Sequence, residues 1–251
     1  MERQKFDGLA EEYERHRPRY PEALVREIAR RVPRHGRRRV VDAGAGTGIA
    51  LEGLVPLLGP ECRYEAVDVS GDMVAAGRAK FPGVTWTVGA AEPYLEGSAD
   101  IDLVVVAQAY QWMDRPRFRR AARRCLRPGG VPAVMRERPG PTVESVHGRL
   151  RELAGGVWSG LPPGLPGVRR RRRAERRVPT GRRGGGDAHG RLDAADGGDF
   201  LGFARSSTQV RRGLAAHGEA MTGRPADLVG AHAENGGLGI AYRCRLFLAV
   251  R

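Results

Sequence analysis

Apolar positions along the first half of the chain fall into two alternating patterns. Short apolar runs cover about Arg39 to Asp42, Arg63 to Val67, Val84 to Val88, Ile101 to Val106 and Val131 to Met135, and each has strand length. Ile101 to Val106 holds an unbroken Leu-Val-Val-Val core, as in a parallel strand covered on both faces. Helical signals lie between and before these runs. Residues 6–20 predict a short helix ending before Pro18, with Tyr13 and Arg17 one turn apart on one face. Pro21 suits a first helical turn, and Leu24, Ile28 and Val32 repeat at helical spacing after it. Further helices are predicted over Gly48 to Leu57, over Gly71 to Lys80 behind a Ser70 cap, and over Arg115 to Leu126 behind an Asp114 cap. Pro56 is expected to end or kink the first of these. Arg127-Pro-Gly-Gly130 reads as a turn, and Pro132 lacks a ladder donor, so the fifth strand should start late or be irregular.

Strands alternating with helices at this spacing predict a parallel, doubly wound α/β sheet with right-handed crossovers. Ligands of such sheets bind beyond the carboxyl ends of the strands, at the switch point. The second half is harder to read. Val143 to Leu153 predicts a helix, residues 155–198 a Gly/Pro/Arg-rich loop or disorder, and Asp199 to Ser206 and Thr208 to Ala220 short helices. Ile240 to Val250 alternates and reads as a final strand.

The net charge of +14 suggests a nucleic-acid partner until its distribution is examined. Lysine occurs only at Lys5 and Lys80, so the basic residues are almost all arginine, as GC-rich coding would produce. Residues 165–190 hold nine arginines against Glu175 and Asp187, which is half the net charge. Five of the arginines are consecutive and repel one another, and no aromatics are interleaved for base stacking. A solvated loop, an RNA-binding patch, or an eroded or partly out-of-frame stretch all fit that composition. Cys62, Cys125 and Cys244 make neither a metal-ligand pair nor a disulfide framework, so no metal is expected. The start lacks an apolar signal core, and Leu103 to Met113 is too short to span a bilayer; a cytoplasmic protein is expected.

The chemistry is concentrated at the strand ends. Asp42-Ala-Gly44-Ala45-Gly46-Thr-Gly48 follows the first strand as an acidic residue and G-x-G-x-G. The glycines permit unusual backbone angles and close approach of a ligand, and amides beside such a turn can receive an anion. The dinucleotide fingerprint has a different last spacing. Asp68 ends the second strand, where a carboxylate can accept both ribose hydroxyls of an adenosine. Gly89-Ala-Ala91-Glu92 follows the third strand and offers an N–H and a carboxylate to an adenine edge, or else is a plain loop.

In this order the motifs resemble the class I S-adenosylmethionine-dependent methyltransferases, in particular the methyltransferase type 11 group. Val-Val-Asp-Ala-Gly-Ala-Gly-Thr-Gly, Ala-Val-Asp-Val-Ser-Gly-Asp-Met, Gly-Ala-Ala-Glu-Pro-Tyr and Leu-Arg-Pro-Gly-Gly carry the resemblance. Tyr-Glu-Arg-His-Arg-Pro-Arg-Tyr-Pro and Gln-Ala-Tyr-Gln-Trp-Met-Asp look like the trans-aconitate methyltransferase-like subgroup. The resemblance implies a Rossmann-like, doubly wound, mostly parallel seven-stranded sheet with helices on both faces. It implies an N-terminal helical lid over 1–36, a cofactor-binding core over 37–138 and the rest of the same fold over 139–251. Gly44, Ala45 and Gly46 would pass beside the methionine part of S-adenosylmethionine, and Asp42 would fix the turn and the amino group. Asp68 would hold the ribose, Val69 and Met73 would pack on the adenine, and Ala91 and Glu92 would read its edge. Gln108 would line the methionine end, and Tyr13 and Arg17 would belong to the lid. Tyr13, Tyr110 and Trp112 are candidates for an aromatic face beside the sulfonium, or else core aromatics.

The expected reaction is methyl transfer to a small-molecule acceptor by in-line displacement. A non-catalytic S-adenosylmethionine-binding protein and an RNA methyltransferase are the alternatives. The subgroup often has His where this chain has Gln111, which cannot act as a base, so no catalytic base is assigned. The acceptor and the oligomeric state are not encoded in any motif.

Overall fold

The computed structural model describes residues 8–139, 184–194 and 238–251, with 138–139, 184–194 and 238–242 described along the backbone alone. Two helices, α1 (Ala10–His16) and α2 (Glu22–Arg31), come first. Then β1 (Arg38–Ala43), α3 (Ile49–Leu58), β2 (Cys62–Asp68), α4 (Gly71–Lys80), β3 (Thr85–Val88), α5 (Ala91–Glu96) and β4 (Ile101–Ala107) alternate. A 3-10 turn over Tyr110–Trp112 precedes α6 (Arg115–Cys125), β5 (Leu126–Pro139), β6 (Gly184–Ala194) and β7 (Leu238–Leu248). The sheet order is β3-β2-β1-β4-β5-β7-β6. The pairs from β3 to β5 are parallel, and β7 runs antiparallel to both β5 and β6. The count of seven rests on β6, which is described only by its backbone.

Strand parity divides the core. Val40, Leu103 and Val105 face one side and pack with α2 and α3 through Leu24, Ile28, Leu51 and Leu54. Val41, Val104 and Val106 face the other and pack with α5 and α6 through Leu95, Phe118, Ala121 and Ala122. Successive side chains of a strand point to opposite faces, so the apolar run of β4 serves both layers. Cys62, Cys125 and Cys244 are free and buried, and no helix among the described residues is long and apolar enough to cross a membrane.

Four details differ from the sequence reading. Helix α3 runs through Pro56 to Leu58 and closes at Gly59 (φ +82), whose N–H donates to Val55 O at 2.9 Å; the proline falls where only one turn remained to be lost. Strand β5 begins at Leu126 rather than Val131, because Arg127-Pro-Gly-Gly130 bulges within it: Ile101 pairs with Leu126 and Leu103 already with Val131. Gly129 N–H and Gly130 O both bond Arg251 at 3.0 Å, which holds the bulge. Pro132 O accepts from Ala249 N at 3.3 Å. Its missing donor therefore faces the end of β7, and the parallel ladder to β4 continues past it. Helix α5 and the 3-10 turn were not predicted, being too short to show a period. Strand β6 falls inside the stretch read as loop, since its ladder to β7 is a backbone property that needs no apolar alternation. The helices expected at 143–153, 199–206 and 208–220, and the rest of the Arg/Gly-rich segment, lie outside the described residues.

Candidate active site

The carboxyl ends of β1, β2 and β4 open into a cavity of about 420 Å³, within the range of small-molecule sites. Tyr13, Gly44, Gly46, Asp68, Val69, Met73, Ala91, Glu92 and Gln108 line it. Asp42, Ala45 and Arg17 are not among the lining residues. Asp42 lies fully buried at the end of β1, and Ala45 packs against the α2–α3 side of the core. The Arg17 guanidinium lies 4.9 Å from the centre of the Tyr13 ring, as their spacing predicted.

The glycine turn needs left-handed backbone. Gly44 has φ +74, and a Cβ there would stand 2.4 Å from Ala109 Cβ; Gly46 has φ +57. The amides of the turn, however, are spent inside the protein. Gly44 N and Ala45 N donate to Val67 O at 2.8 and 3.1 Å, Gly48 N to Ala45 O at 2.9 Å, and Gly46 N to Asp68 Oδ2 at 2.8 Å. The anion-receiving role open to such a turn is thereby closed at these four positions. The turn contributes shape, and what it presents is acidic.

Both oxygens of Asp42 are buried without a hydrogen-bond partner. Burial first, and then the neighbouring Asp68 charge, push the Asp42 carboxyl up to about 8. Asp68 is also raised by burial, with the Ser70 and Gly46 N–H groups pulling it back. Its Oδ1 accepts from Ser70 N at 3.0 Å, so Asp68 organises both the turn and the start of α4. Glu92 accepts from Asp114 N at 2.7 Å and ties α5 to the loop before α6. Asp114, Arg117 and Met113 line the cavity and were not named as cofactor-binding positions from sequence. The cap signal at Asp114 was legible, and its second position on the cavity wall was not.

The three aromatic candidates separate. Tyr13 and Trp112 line the cavity, Trp112 being 42% exposed at its rim. Tyr110 stacks edge-on against Phe118, 5.6 Å between centroids, and belongs to the core. Gln111 is exposed and donates to Gln108 O. No group of acidic, His or Cys side chains fit to hold a metal occurs among the described residues.

Sheet order, switch point and cavity together define a Rossmann-like domain of the class I methyltransferase type. Residues 40–130 match the methyltransferase domain family. An uncharacterized methyltransferase of Mycobacterium tuberculosis is 36% identical over 125 residues, 50% of this chain and 49% of that protein. A trans-aconitate 2-methyltransferase of Rhodopseudomonas palustris is 32% identical over 156 residues, 59% of this chain and 56% of that protein. The chain thus spans about half the length of the curated relatives it matches. A solved structure from Anaeromyxobacter dehalogenans, assigned as a type II methyltransferase, is 26% identical with a TM-score of 0.65, over 93% of this chain and 97% of that one.

Proposed function

We propose that the chain binds S-adenosylmethionine in this cavity and transfers its methyl group to a small-molecule acceptor. One observation carries the reading: the amides of Gly44, Ala45, Gly46 and Gly48 are internally spent while the cavity wall carries the Asp68 and Glu92 carboxylates, with Asp42 unpartnered behind it. A buried orphan carboxylate is costly unless something cationic completes it. A pyrophosphate would find the Asp68 and Glu92 carboxylates and no free amide at the positions described, whereas a cationic group finds a match. When bound, the cofactor supplies a methyl group already activated on sulfur.

The residues divide the remaining work. Asp42 fixes the turn and the amino-group end from behind the wall, and Gly44 and Gly46 keep the wall clear of side chains. Asp68 accepts from the ribose while retaining Gly46 and Ser70. Val69 and Met73 give an apolar seat for the adenine, with Ala91 and Glu92 at its edge and Gln108 at the methionine end. Tyr13 offers a π face to positive charge. Positioning of this kind converts a bimolecular displacement into a local one. We infer that residues 1–36 form a lid, 37–138 the cofactor core and 139–251 the remainder of the fold. The small-molecule acceptor is supported by the likeness to trans-aconitate 2-methyltransferases, and half of the net charge lies in 165–190, away from the core sequence.

Calorimetry with S-adenosylhomocysteine tests the site. Micromolar binding is expected, with Asp68→Ala weakening it about 100-fold, or ~2.7 kcal/mol. Undiminished binding by that variant would sink the assignment. Labelled-methyl turnover across a panel of small acids, alcohols and amines, with RNA as a control, separates an enzyme from a binding protein.

A further inference from the structure

Helix α6 carries a charge that nothing described around it answers. Residues 8–139 hold twenty-two basic side chains and seventeen acidic ones. Six of the basic ones and none of the acidic ones lie in α6. The rest of that segment is therefore slightly acidic, with sixteen against seventeen. Phe118, Ala121, Ala122 and Cys125 turn one face of α6 into the core, and the exposed opposite face carries Arg119, Arg120, Arg123 and Arg124. Arg115 lies over the Tyr110 ring at 5.5 Å, and Arg117 takes both oxygens of Glu96 at 2.7 and 2.6 Å. The other four arginines make no ion pair among the described residues. Arginine-rich composition does not account for this. On α1 and α2, arginines meet a glutamate one turn back: Arg15 with Glu11 at 2.7 Å, Arg26 with Glu22 at 2.5 Å, and Arg31 with Glu27 at 2.8 Å. On α6 the residues one turn apart are Arg115 and Arg119, Arg119 and Arg123, and Arg120 and Arg124. Each such like-charge pair weakens a helix. Arg123 and Arg124 gain from the helix dipole in the last turn, and Arg119 and Arg120 do not.

We propose that the exposed face of α6 docks an acidic α-helix of a partner protein. Arg119 with Arg123, and Arg120 with Arg124, form two rows that repeat after four residues, about 6 Å along the axis. Carboxylates at i and i+4 on a second helix repeat at the same distance, so both rows are met without distorting either helix. The planar guanidinium groups can take carboxylates bidentately. Other occupants fit less well. A nucleic acid extends past a helix about 16 Å long and there meets a core of slight net negative charge. No aromatic side chain stands among the four arginines to stack a base, and no apolar one to enter a membrane surface. A second copy of α6 would set like charge against like charge. Arg117, 44% exposed, shares a stripe with Arg120 and Arg124 and lines the cavity. A partner seated on α6 therefore lies beside the cavity mouth. The inference stands on the placement of charge and does not depend on which ligand the cavity binds.

The test uses the full chain and a fluorescent helical peptide with glutamates at repeated i and i+4 positions, read by anisotropy. Saturable binding is expected at low salt, weakening about tenfold once added salt shortens the screening length below about 8 Å. Arg119→Gln with Arg123→Gln removes one row and should weaken binding about tenfold, the weight of two exposed ion pairs. Adding Arg120→Gln and Arg124→Gln should abolish it. Arg26→Gln with Arg31→Gln takes the same charge from α2 and should change affinity less than about twofold, since those arginines already have partners. A peptide with the same glutamates out of helical register should bind several-fold more weakly. Thermal unfolding should show the α6 variants at least as stable as the unaltered chain, because like-charge pairs are relieved, so lost binding is not lost fold. Equal binding of the out-of-register peptide, equal losses from the α2 variant, or tighter binding of single-stranded RNA or phosphatidylserine vesicles than of the helical peptide would overturn the docking role. So would undiminished binding by the variant lacking all four arginines, or no binding by the unaltered chain.

Discussion

The two ends of the sheet bury carboxylates under opposite conditions. Toward the amino ends, Glu65 accepts from Arg39 at 2.9 and 2.8 Å and from Tyr94 at 2.6 Å, with Arg63 at 2.7 Å. Although burial alone would raise it, the Arg39 and Tyr94 bonds and the two arginine charges hold Glu65 below the usual carboxylate range. Asp102 accepts from Arg39 N at 2.7 Å through Oδ2, and its Oδ1, without an aligned hydrogen bond, has His35 at 2.8 Å and Arg127 at 3.4 Å beside it. At the carboxyl ends, Asp42, Asp68 and Glu137 are all raised, and Asp42 and Glu137 keep orphan oxygens. Composition does not explain the difference, since arginine is abundant throughout. One end surrounds its carboxylates with cationic and hydroxyl groups, and the other leaves oxygens of Asp42 and Glu137 without partners.

Neutralising a charge should therefore have opposite effects at the two ends. The largest effect is expected for Asp42→Asn. The folded carboxyl titrates near 8 and the unfolded one near 3.8, so the unfolded chain gives up its proton first as pH rises. The Asp42 contribution to ligand-free stability is then greatest below about pH 4 and declines through the window up to about 8. At ~1.4 kcal/mol per unit, Asp42→Asn should gain as much as ~4 kcal/mol at pH 7 and flatten that slope, while weakening S-adenosylhomocysteine. Urea unfolding at several pH values reads this, and a destabilised Asn variant would break the comparison. Next, Arg39→Ala should lose ~3 kcal/mol by stranding Glu65, with ligand affinity of the folded protein unchanged. Arg39→Leu combined with Glu65→Leu should recover most of that loss. The smallest effect, ~1–2 kcal/mol, is expected for Gly46→Ala, which forces a Cβ into left-handed backbone and disturbs the amide held by Asp68. Thermal unfolding with and without ligand separates its two contributions.

The amino-terminal half of the fold was legible because local signals agreed there. Ser70 and Asp114 cap helices as read, accepting from Met73 N at 3.4 Å and Arg117 N at 3.0 Å. Strand lengths and the unbroken apolar run of β4 fixed the parallel core. What escaped was non-local. The fate of Arg127-Pro-Gly-Gly130 depends on Arg251, more than a hundred residues away. That the turn's amides are spent depends on Val67 and Asp68 arriving from β2. Glu137 carried no motif, and its sealed, unpartnered Oε1 is a property of packing. Asp42 and Asp68 were named from sequence, but their unequal satisfaction is a property of packing.

Under the proposed lid role, the attachment of α1 has a kinetic consequence. The helix buries no residue of its own, and Leu9 before it is the apolar anchor. It is fastened by charge: Glu14 to Lys80 at 2.6 Å, Arg19 to Glu14 and to Glu52, Lys80 to Glu52, and Gly8 N–H to Asp72 at 2.6 Å. A cover attached by oily contact tightens when salting-out ions are added. One attached by partly exposed ion pairs loosens instead, since screening lengths shrink to about 8 Å at physiological ionic strength and less above it. Residence time in the cavity should then shorten with salt, while the apolar sheet beneath keeps its stability.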